Sequence, residues 1–441
     1  MTISYQLSIA PELEQFRSEI EFACHFLDDC HYLRRDSEGD AVLHYGSNPP
    51  DGAMQIPNVL FPTGVVVNDN GIYPDASGLS SIETKEIPNG LFPDHGGTQN
   101  SISDGRMNYD ALGLIFLLLS RLEERGNAAT SRDRYGRFPF DASIVHRHAR
   151  LDIPLADLAA LDIAGGLGAG TPAPNRTSYE VQLTHDLDKF RGYHKLSDPL
   201  LPAAVDLLKR RDPLAALLRL NKAYRSGEPE LSVRNLMQMS EDHGFSSRFF
   251  VMGPTSDSMN SPYAIKWPAA LRRLTDEISS RGHSIGFHPG VETASNQEMW
   301  NQQKVGLERI VGQSVDATRQ HALINNPETT FDICNSASMK SDYSLGFPEL
   351  SGFRTGTCRP HRTFSLVNRT RLDLKAYPTS IMDFGFFGGK YRDLSVDQAL
   401  EECDVIVETC RSLGGTLVVL FHTHQNDGKL AEFYRRLLDR L

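Results

Sequence analysis

Apolar and polar residues change rhythm several times along this chain. Between Gly46 and Asn100, short apolar runs such as Val65-Val66-Val67 alternate with Gly, Pro, Asn and Asp. That pattern predicts short strands joined by loops. From Tyr109 to Glu124 the rhythm changes. Ala111 to Leu119 is continuously apolar and is followed by Arg121, Glu123 and Glu124, which is too long and too apolar for a surface strand and predicts a buried helix. Asp162 to Pro174 is Gly-rich in its first half and contains Pro at its end, the composition of a linker that is first flexible and then extended.

Beyond that stretch, strand and helix patterns take turns. Strands are predicted at Tyr179–Leu183, Phe249–Val251, Ser284–Phe287 and Thr416–Phe421, with Ala317–Gln320 extended. Helices are predicted at Ala203–Arg219 (one or two, interrupted near Pro213), Val233–His243 closed by Gly244, Ala269–Arg281 closed by Gly282, Val305–Val311, Val396–Arg411 and Ala431–Leu441. Such alternation predicts an α/β fold, a layer or barrel built on a parallel sheet, in which chemistry collects at the C-terminal strand ends. The expected organisation is an N-terminal α+β domain over 1–160, a linker over 161–177 and an α/β domain, layer or barrel, over 178–441.

Composition narrows the function classes. The 441 residues suffice for two or three domains, and 40% hydrophobic with 23% charged residues is an ordinary globular balance. A net charge of -11 argues against a nucleic-acid partner, whose affinity rests on clustered Lys and Arg. Lys209-Arg210-Arg211 reads as a solvated helix face. Met1 to Phe16 lacks the basic start and apolar core of a secretory signal. The longest apolar run is about half of what a spanning helix needs. The expectation is a cytoplasmic protein with no integral membrane segment. Cys24, Cys30, Cys334, Cys358, Cys403 and Cys410 form no C-x-x-C pair and are expected as free buried thiols.

Four clusters lie at predicted strand ends. Asp186 and Asp188 are two apart and project to one side of an extended chain, so one could bind a metal while the other acts as a base. Taken alone, the pair reads first as the cap of a following helix or turn. His288 leaves its strand just before Pro289-Gly290, where an imidazole could ligate a divalent ion; His283, before the strand, reads as an orienting or packing residue. Arg319-Gln320-His321 is the third cluster. His422 and His424 form the fourth, with His422 closer to the strand and suited to donate a proton. Separately, Arg354 and Arg359 are candidates for binding a carboxylate, phosphate or sugar hydroxyls, the alternative being internal salt bridges to Asp342 or Glu349.

In order and spacing, Thr184-His185-Asp186-Leu187-Asp188, Gly282-His283-Ser284-Ile285-Gly286-Phe287-His288, Arg319 and Leu420-Phe421-His422 resemble the motifs of the polysaccharide deacetylase superfamily. This is carbohydrate esterase family four, also called the NodB-homology domain. The resemblance implies a distorted (β/α) barrel at the C-terminus. It also implies Asp186 as catalytic base, Asp188 and His288 as metal ligands, Arg319 as brace of the base and His422 as general acid. The second metal histidine of the family falls at Glu292 here. Either Glu292 completes a zinc site with Asp188 and His288, or a ligand has been lost.

Tyr45-Gly46, Leu119 to Glu124, Asp133 to Phe138, Asp342 to Gly346 and Gly352 to Pro360 further resemble a subgroup with an additional N-terminal domain. The implied function is metal-dependent removal of an acetyl or other small acyl group from an amino sugar or surface-polysaccharide precursor, the metal being zinc. The alternatives are an amidase on a non-sugar carbon–nitrogen bond and a non-catalytic glycan-binding protein. The N-terminal domain carries no recognisable chemistry, and positioning of a polymer or homodimerisation are its open roles.

Overall fold

The computed structural model describes residues 2–61, 102–125, 132–133, 135–148, 150–168, 179–190, 200–224, 229–257, 259–387, 391–423 and 428–441. The strands expected around Val65-Val66-Val67, and His424, lie outside the described residues. The chain divides into two compact units. One comprises Met1–Glu180, Leu323–Ile381 and Val405–Leu417; the other comprises Val181–Ala322, Met382–Asp404 and Val418–Leu441. Compactness thus groups two later segments with the N-terminal residues, where the sequence suggested one boundary at 161–177.

In the first unit, Ile3–Ile9 turns Tyr5 and Ile9 inward. The helix Arg17–Asp29 buries Ile20, Ala23, Cys24 and Leu27, the i, i+3, i+4, i+7 stripe of a helix lying on a sheet. Leu33–Arg35 then returns parallel to Ile3–Ile9, completing a β-α-β crossover. The sheet order is Leu33–Arg35, Ile3–Ile9, Ala41–Tyr45, Met54–Ile56, Arg106–Met107, Ile102–Ser103. The printed pairings are parallel except at the Ile102–Ser103 edge. The expected α+β character is therefore corrected to a largely parallel α/β arrangement, because a β-α-β crossover within the first 35 residues sets the strand direction that the following strands keep.

The helix expected over Tyr109–Glu124 is shorter than predicted. Ala111–Ser120 is buried along its whole length, and the Asp110 carboxylate caps it by accepting from Gly113 N at 2.7 Å. Arg121 ends it in the left-handed region (φ 60°), and Leu122–Glu124 continues as a single tight turn. Leu155–Gly166 is helical and buries Ile163 and Ala164. Residues 161–166 are thus helix rather than linker, since Leu, Ile and Ala carry the last turns into the core despite the glycines that follow. A second set of strands in this unit pairs His361–Ser365 antiparallel with Thr370–Ala376, which runs parallel to Ser341–Asp342.

The second unit holds the α/β alternation seen in the sequence. Within it Ala317–Thr318, Ser284–His288, Ser247–Met252 and Glu180–Leu187 lie side by side in that order, followed by the Val418–Leu420 end of the strand Thr416–Leu420. The first four are mutually parallel. In register, Asp186 stands beside Phe250 and Met252 beside His288, so the C-terminal ends fall together. The helices at Leu200–Leu208, Pro213–Tyr224, Pro229–Asp242, Pro268–Ser280, Gln297–Val311, Val396–Leu413 and Gly428–Leu438 match predicted patterns in type, with shifted ends. All six cysteines are free and buried. Among the described residues, no helix is long and apolar enough to cross a membrane.

Candidate functional site

Period-two alternation sorts the end of the Glu180–Leu187 strand into two faces. His185 points into the core, where Nδ1 donates to the Phe421 carbonyl at 2.9 Å and the ring stacks on Phe249. Burial pushes its pKa down to about 4, leaving a neutral packing residue. Thr184 and Asp186 occupy the other face. Asp186 is buried, and its Oδ1 accepts from Arg319 Nη1 at 2.9 Å, while Arg319 Nη2 donates to Thr184 Oγ1 at 2.7 Å. The guanidinium lies over the Phe250 ring, 4.5 Å from its centroid. Gly286 makes room for that ring, because a Cβ there would stand 2.4 Å from Phe250 Cε1.

Asp188, just past the strand, is ringed by imidazoles. Its Oδ1 lies 3.3 Å from His288 Nε2 and 3.8 Å from His321 Nε2, and its Oδ2 lies 3.7 Å from His422 Nε2. The ligand-type atoms of Asp188, His288 and His321 all lie within 4.8 Å of one another.

The other ring nitrogens decide what these atoms present. His288 Nδ1 lies 2.6 Å from the Arg319 carbonyl, which can only accept, so Nδ1 carries a proton. His321 Nδ1 lies 2.8 Å from Asn260 Oδ1. The orientation of that amide is set by its other contacts, since Oδ1 accepts from Val291 N at 3.2 Å while Nδ2 donates to Glu292 Oε2 at 2.6 Å. In their neutral forms both histidines therefore turn an Nε2 lone pair toward Asp188. Lone pairs converging on a carboxylate repel unless protons or a cation lie among them. The donor set of one carboxylate oxygen and two imidazoles, with both distal nitrogens hydrogen-bonded, fits a divalent ion such as zinc.

The electrostatics follow the same geometry. Burial works to raise the Asp188 pKa, but the surrounding imidazoles hold it well below the usual carboxylate range. Burial works against charging His288 too, yet the nearby Asp186 (3.8 Å) and Asp188 raise its pKa above the ordinary value. At His321 burial is the largest influence, and with the neighbouring His288 and His422 it outweighs the pull of Asp188 and Asp186, bringing the pKa down to about 4.

Glu292 is placed differently from expectation. Its carboxylate accepts from Thr255 Oγ1 at 2.8 Å, Asn260 Nδ2 at 2.6 Å and Gln303 Nε2 at 2.6 Å, and it stands outside the ligand cluster. It sits in a short 3-10 turn, Val291–Thr293, directed away from the His288 ring by the turn at Pro289-Gly290. Gly290 accommodates the pair, because a Cβ there would lie 2.6 Å from both Asn260 Nδ2 and Glu292 Oε2. His321, named in sequence only as part of the third cluster, takes the third corner. It reaches there because its backbone N donates to the Pro289 carbonyl and Ala322 turns the chain at φ 55°.

His422 leaves the Thr416–Leu420 strand with its Nδ1 2.6 Å from Asp383 Oδ1, and its backbone N donates to Asp383 Oδ2 at 2.8 Å. Burial lowers its pKa, but Asp383 and the two other carboxylates outweigh burial and raise it to about 9. Asp383 was missed in the sequence. Its only signal was an acidic residue directly after the apolar pair Ile381-Met382, too slight without the His422 contact. His283 behaves as expected of an orienting residue, with Nδ1 accepting from Ser247 N at 2.9 Å.

Arg354 and Arg359 belong elsewhere, in the first unit. Arg354 donates from Nε and Nη2 to Glu124 (3.0 and 2.8 Å) and from Nη1 to the Gly346 carbonyl. Arg359 donates to Asp157 Oδ1 at 2.9 Å, to the carbonyls of Leu413 and Gly414, and to the Tyr32 hydroxyl. Both are buried. The expected substrate-binding role is corrected, because each guanidinium is taken up by an internal carboxylate and backbone carbonyls. The partners are Glu124 and Asp157, not Asp342 or Glu349.

Comparison with known proteins adds the following. A family of unknown function, DUF7033, matches residues 14–168, a span that contains none of the clustered residues. No curated protein matches. Among solved structures, a Mycobacterium smegmatis protein described as a polysaccharide deacetylase is 16% identical, over 59% of this chain and 83% of its own, with a TM-score of 0.40. A Pseudomonas aeruginosa PAO1 protein described in similar words is 9% identical over 62% and 88%, with a TM-score of 0.38. The polysaccharide deacetylase Bc1974 from Bacillus cereus is 13% identical over 59% and 86%, with a TM-score of 0.28. At TM-scores below 0.5, these likenesses carry no chemistry across to this chain.

Proposed function

We propose that the second unit is a divalent-metal-dependent hydrolase of the polysaccharide-deacetylase type, removing an acetyl or similar small acyl group from an amino sugar or surface-polysaccharide precursor. The observation that carries this reading is the convergence of Asp188, His288 and His321 on one point, flanked by a braced carboxylate and a braced imidazole. The motif resemblance supplies the substrate class. A cation held by these three side chains would supply Lewis acidity at the acyl carbonyl and make water a stronger acid.

Asp186 is the base. Arg319 occupies its Oδ1, leaving Oδ2 to take a proton from water as oxygen attacks the acyl carbon. His422 is the acid. With Nδ1 on Asp383 and a pKa near 9, its ring is held protonated at neutral pH and gives the Nε2 proton to the departing amine nitrogen as the carbon–nitrogen bond breaks. The products are the free amine and the carboxylic acid, with Asp186 left protonated and His422 neutral, and return of that proton from Asp186 to His422 through solvent resets the pair, so atoms and charge balance. Arg319 keeps the base in place and Asp383 orients the acid.

Metal content of the purified protein, measured beside acetate release from a panel of acetylated sugars and lipid-linked saccharides, tests the reading. Stoichiometric divalent metal that is lost in Asp188→Ala, together with acetate release, is expected. A protein that takes up no divalent metal would overturn it.

A further inference from the structure

Two helices of the second unit are amphipathic in the wrong sense for a surface helix. In Leu200–Leu208 and Pro213–Tyr224, which pack on each other, the small or polar residues Ala203, Asp206 and Ala216 are buried. The large aliphatic residues face out, with Leu201 74%, Leu208 76% and Leu217 64% exposed, and Leu200, Leu207, Leu214 and Leu218 about half exposed or more. Leu201, Val205 and Leu208 are spaced i, i+4, i+7, and Leu214, Leu217 and Leu218 are spaced i, i+3, i+4, so each helix presents its own apolar stripe. Contiguous exposed apolar surface of this kind marks an interaction face rather than scattered tolerance.

The charge on the same hairpin selects the partner. Lys209, Arg210 and Arg211 are exposed at the turn between the helices, while Asp206, the counter-ion of Arg210 at 2.9 Å, is itself buried. At the turn Lys209, Arg210 and Arg211 stand against Asp206, which is buried, and Asp212, in a chain whose net charge is -11. Leucines beside exposed cations match the interfacial plane of an anionic bilayer, where apolar side chains enter the acyl boundary and cations meet the headgroups.

We infer that the 200–224 hairpin is a docking face for an anionic membrane surface, on which the protein lies without spanning. The docking face does not depend on the hydrolase reading. Co-sedimentation of the full chain with vesicles of phosphatidylcholine alone, and of phosphatidylcholine mixed with phosphatidylglycerol, tests it at low and high salt. Binding to the mixed vesicles, weakened by salt, is expected. The combined substitution Leu201→Gln, Leu208→Gln, Leu217→Gln should weaken it by at least roughly tenfold, and Lys209→Glu with Arg211→Glu should also weaken it. Because all five side chains are exposed, thermal melting of both variants should match the parent. The inference is overturned if the parent does not bind mixed vesicles, if the leucine variant binds as well as the parent, or if the leucines drive dimerisation in sedimentation equilibrium without vesicle binding.

Discussion

Glu124 and Asp188 are both carboxylates set among nitrogen-bearing side chains, and the contrast between them separates a structural charge cluster from a chemical one. In the first unit, Glu124 accepts from Arg354 through both oxygens and from Arg121 Nη2. Guanidiniums hold their protons at every working pH, so burial's pressure to raise the pKa is overcome and the group is held at about 2. Nothing in that arrangement asks for a ligand. In the second unit the partners of Asp188 are imidazoles at 3.3 to 3.8 Å, two of which, when neutral, carry their protons on the nitrogen directed away. That arrangement is completed only by something positively charged. Both carboxylates are gathered in by nitrogen groups, and what distinguishes them is that the guanidiniums at Glu124 carry permanent protons aimed at it whereas the imidazoles at Asp188 do not.

The sharpest way to break the comparison is at the base. Asp186→Asn is expected to lower kcat for acyl release by about 10² to 10⁴ with metal content and a cooperative fold kept, at some cost in melting temperature because the buried Arg319 loses its counter-ion. Near-normal turnover would remove Asp186 from its role. On the structural side, Glu124→Ala should cost about 3–5 kcal/mol in denaturant unfolding, because two buried guanidiniums lose their counter-ion, and should leave metal content intact. A loss below about 1 kcal/mol would show that the cluster is not structural.

Acid offers a milder probe of the same pair. The folded pKa of Glu124 lies below the ordinary 4.5, so its contribution is fully present above pH 4.5 and is lost as pH falls toward 2. The stability gap between the parent and Glu124→Gln should therefore narrow by a few kcal/mol over that window and stay flat from pH 6 to 8. A gap that does not narrow would contradict the ion-pair account. The smallest effect is expected at Glu292, which acts on His321 through Asn260. Glu292→Gln should weaken metal binding about 10- to 100-fold, while His321→Ala should abolish it. Equal losses in the two variants would return Glu292 to the ligand set.

Much of the second unit was legible in the sequence because strands and helices there carry clean periodicities, and Asp186, Asp188, His288, Arg319 and His422 each stand at a strand end. The third ligand was not legible by counting four residues from His288. The Pro289-Gly290 turn redirects Glu292, and His321 arrives from the next strand over. Asp383 was invisible because its partner lies 39 residues away. Arg354 and Arg359 misled for a related reason, since an arginine beside glycines reads as a site until its counter-ion more than 200 residues distant is known. The parallel crossover at the N-terminus was not legible because its strands, Ile3–Ile9 and the three-residue Leu33–Arg35, carry no clean period-two alternation of burial.

By itself the sequence determined the period of each element, and with it the α/β character of the second unit and the face on which Asp186 projects, because periodicity is a local property of the chain. Tertiary structure decided which nitrogen carries a proton, which carboxylate is satisfied and which faces an open set of lone pairs. Those outcomes depend on groups brought together from separate strands, and no spacing along one chain encodes the direction of a hydrogen bond between them.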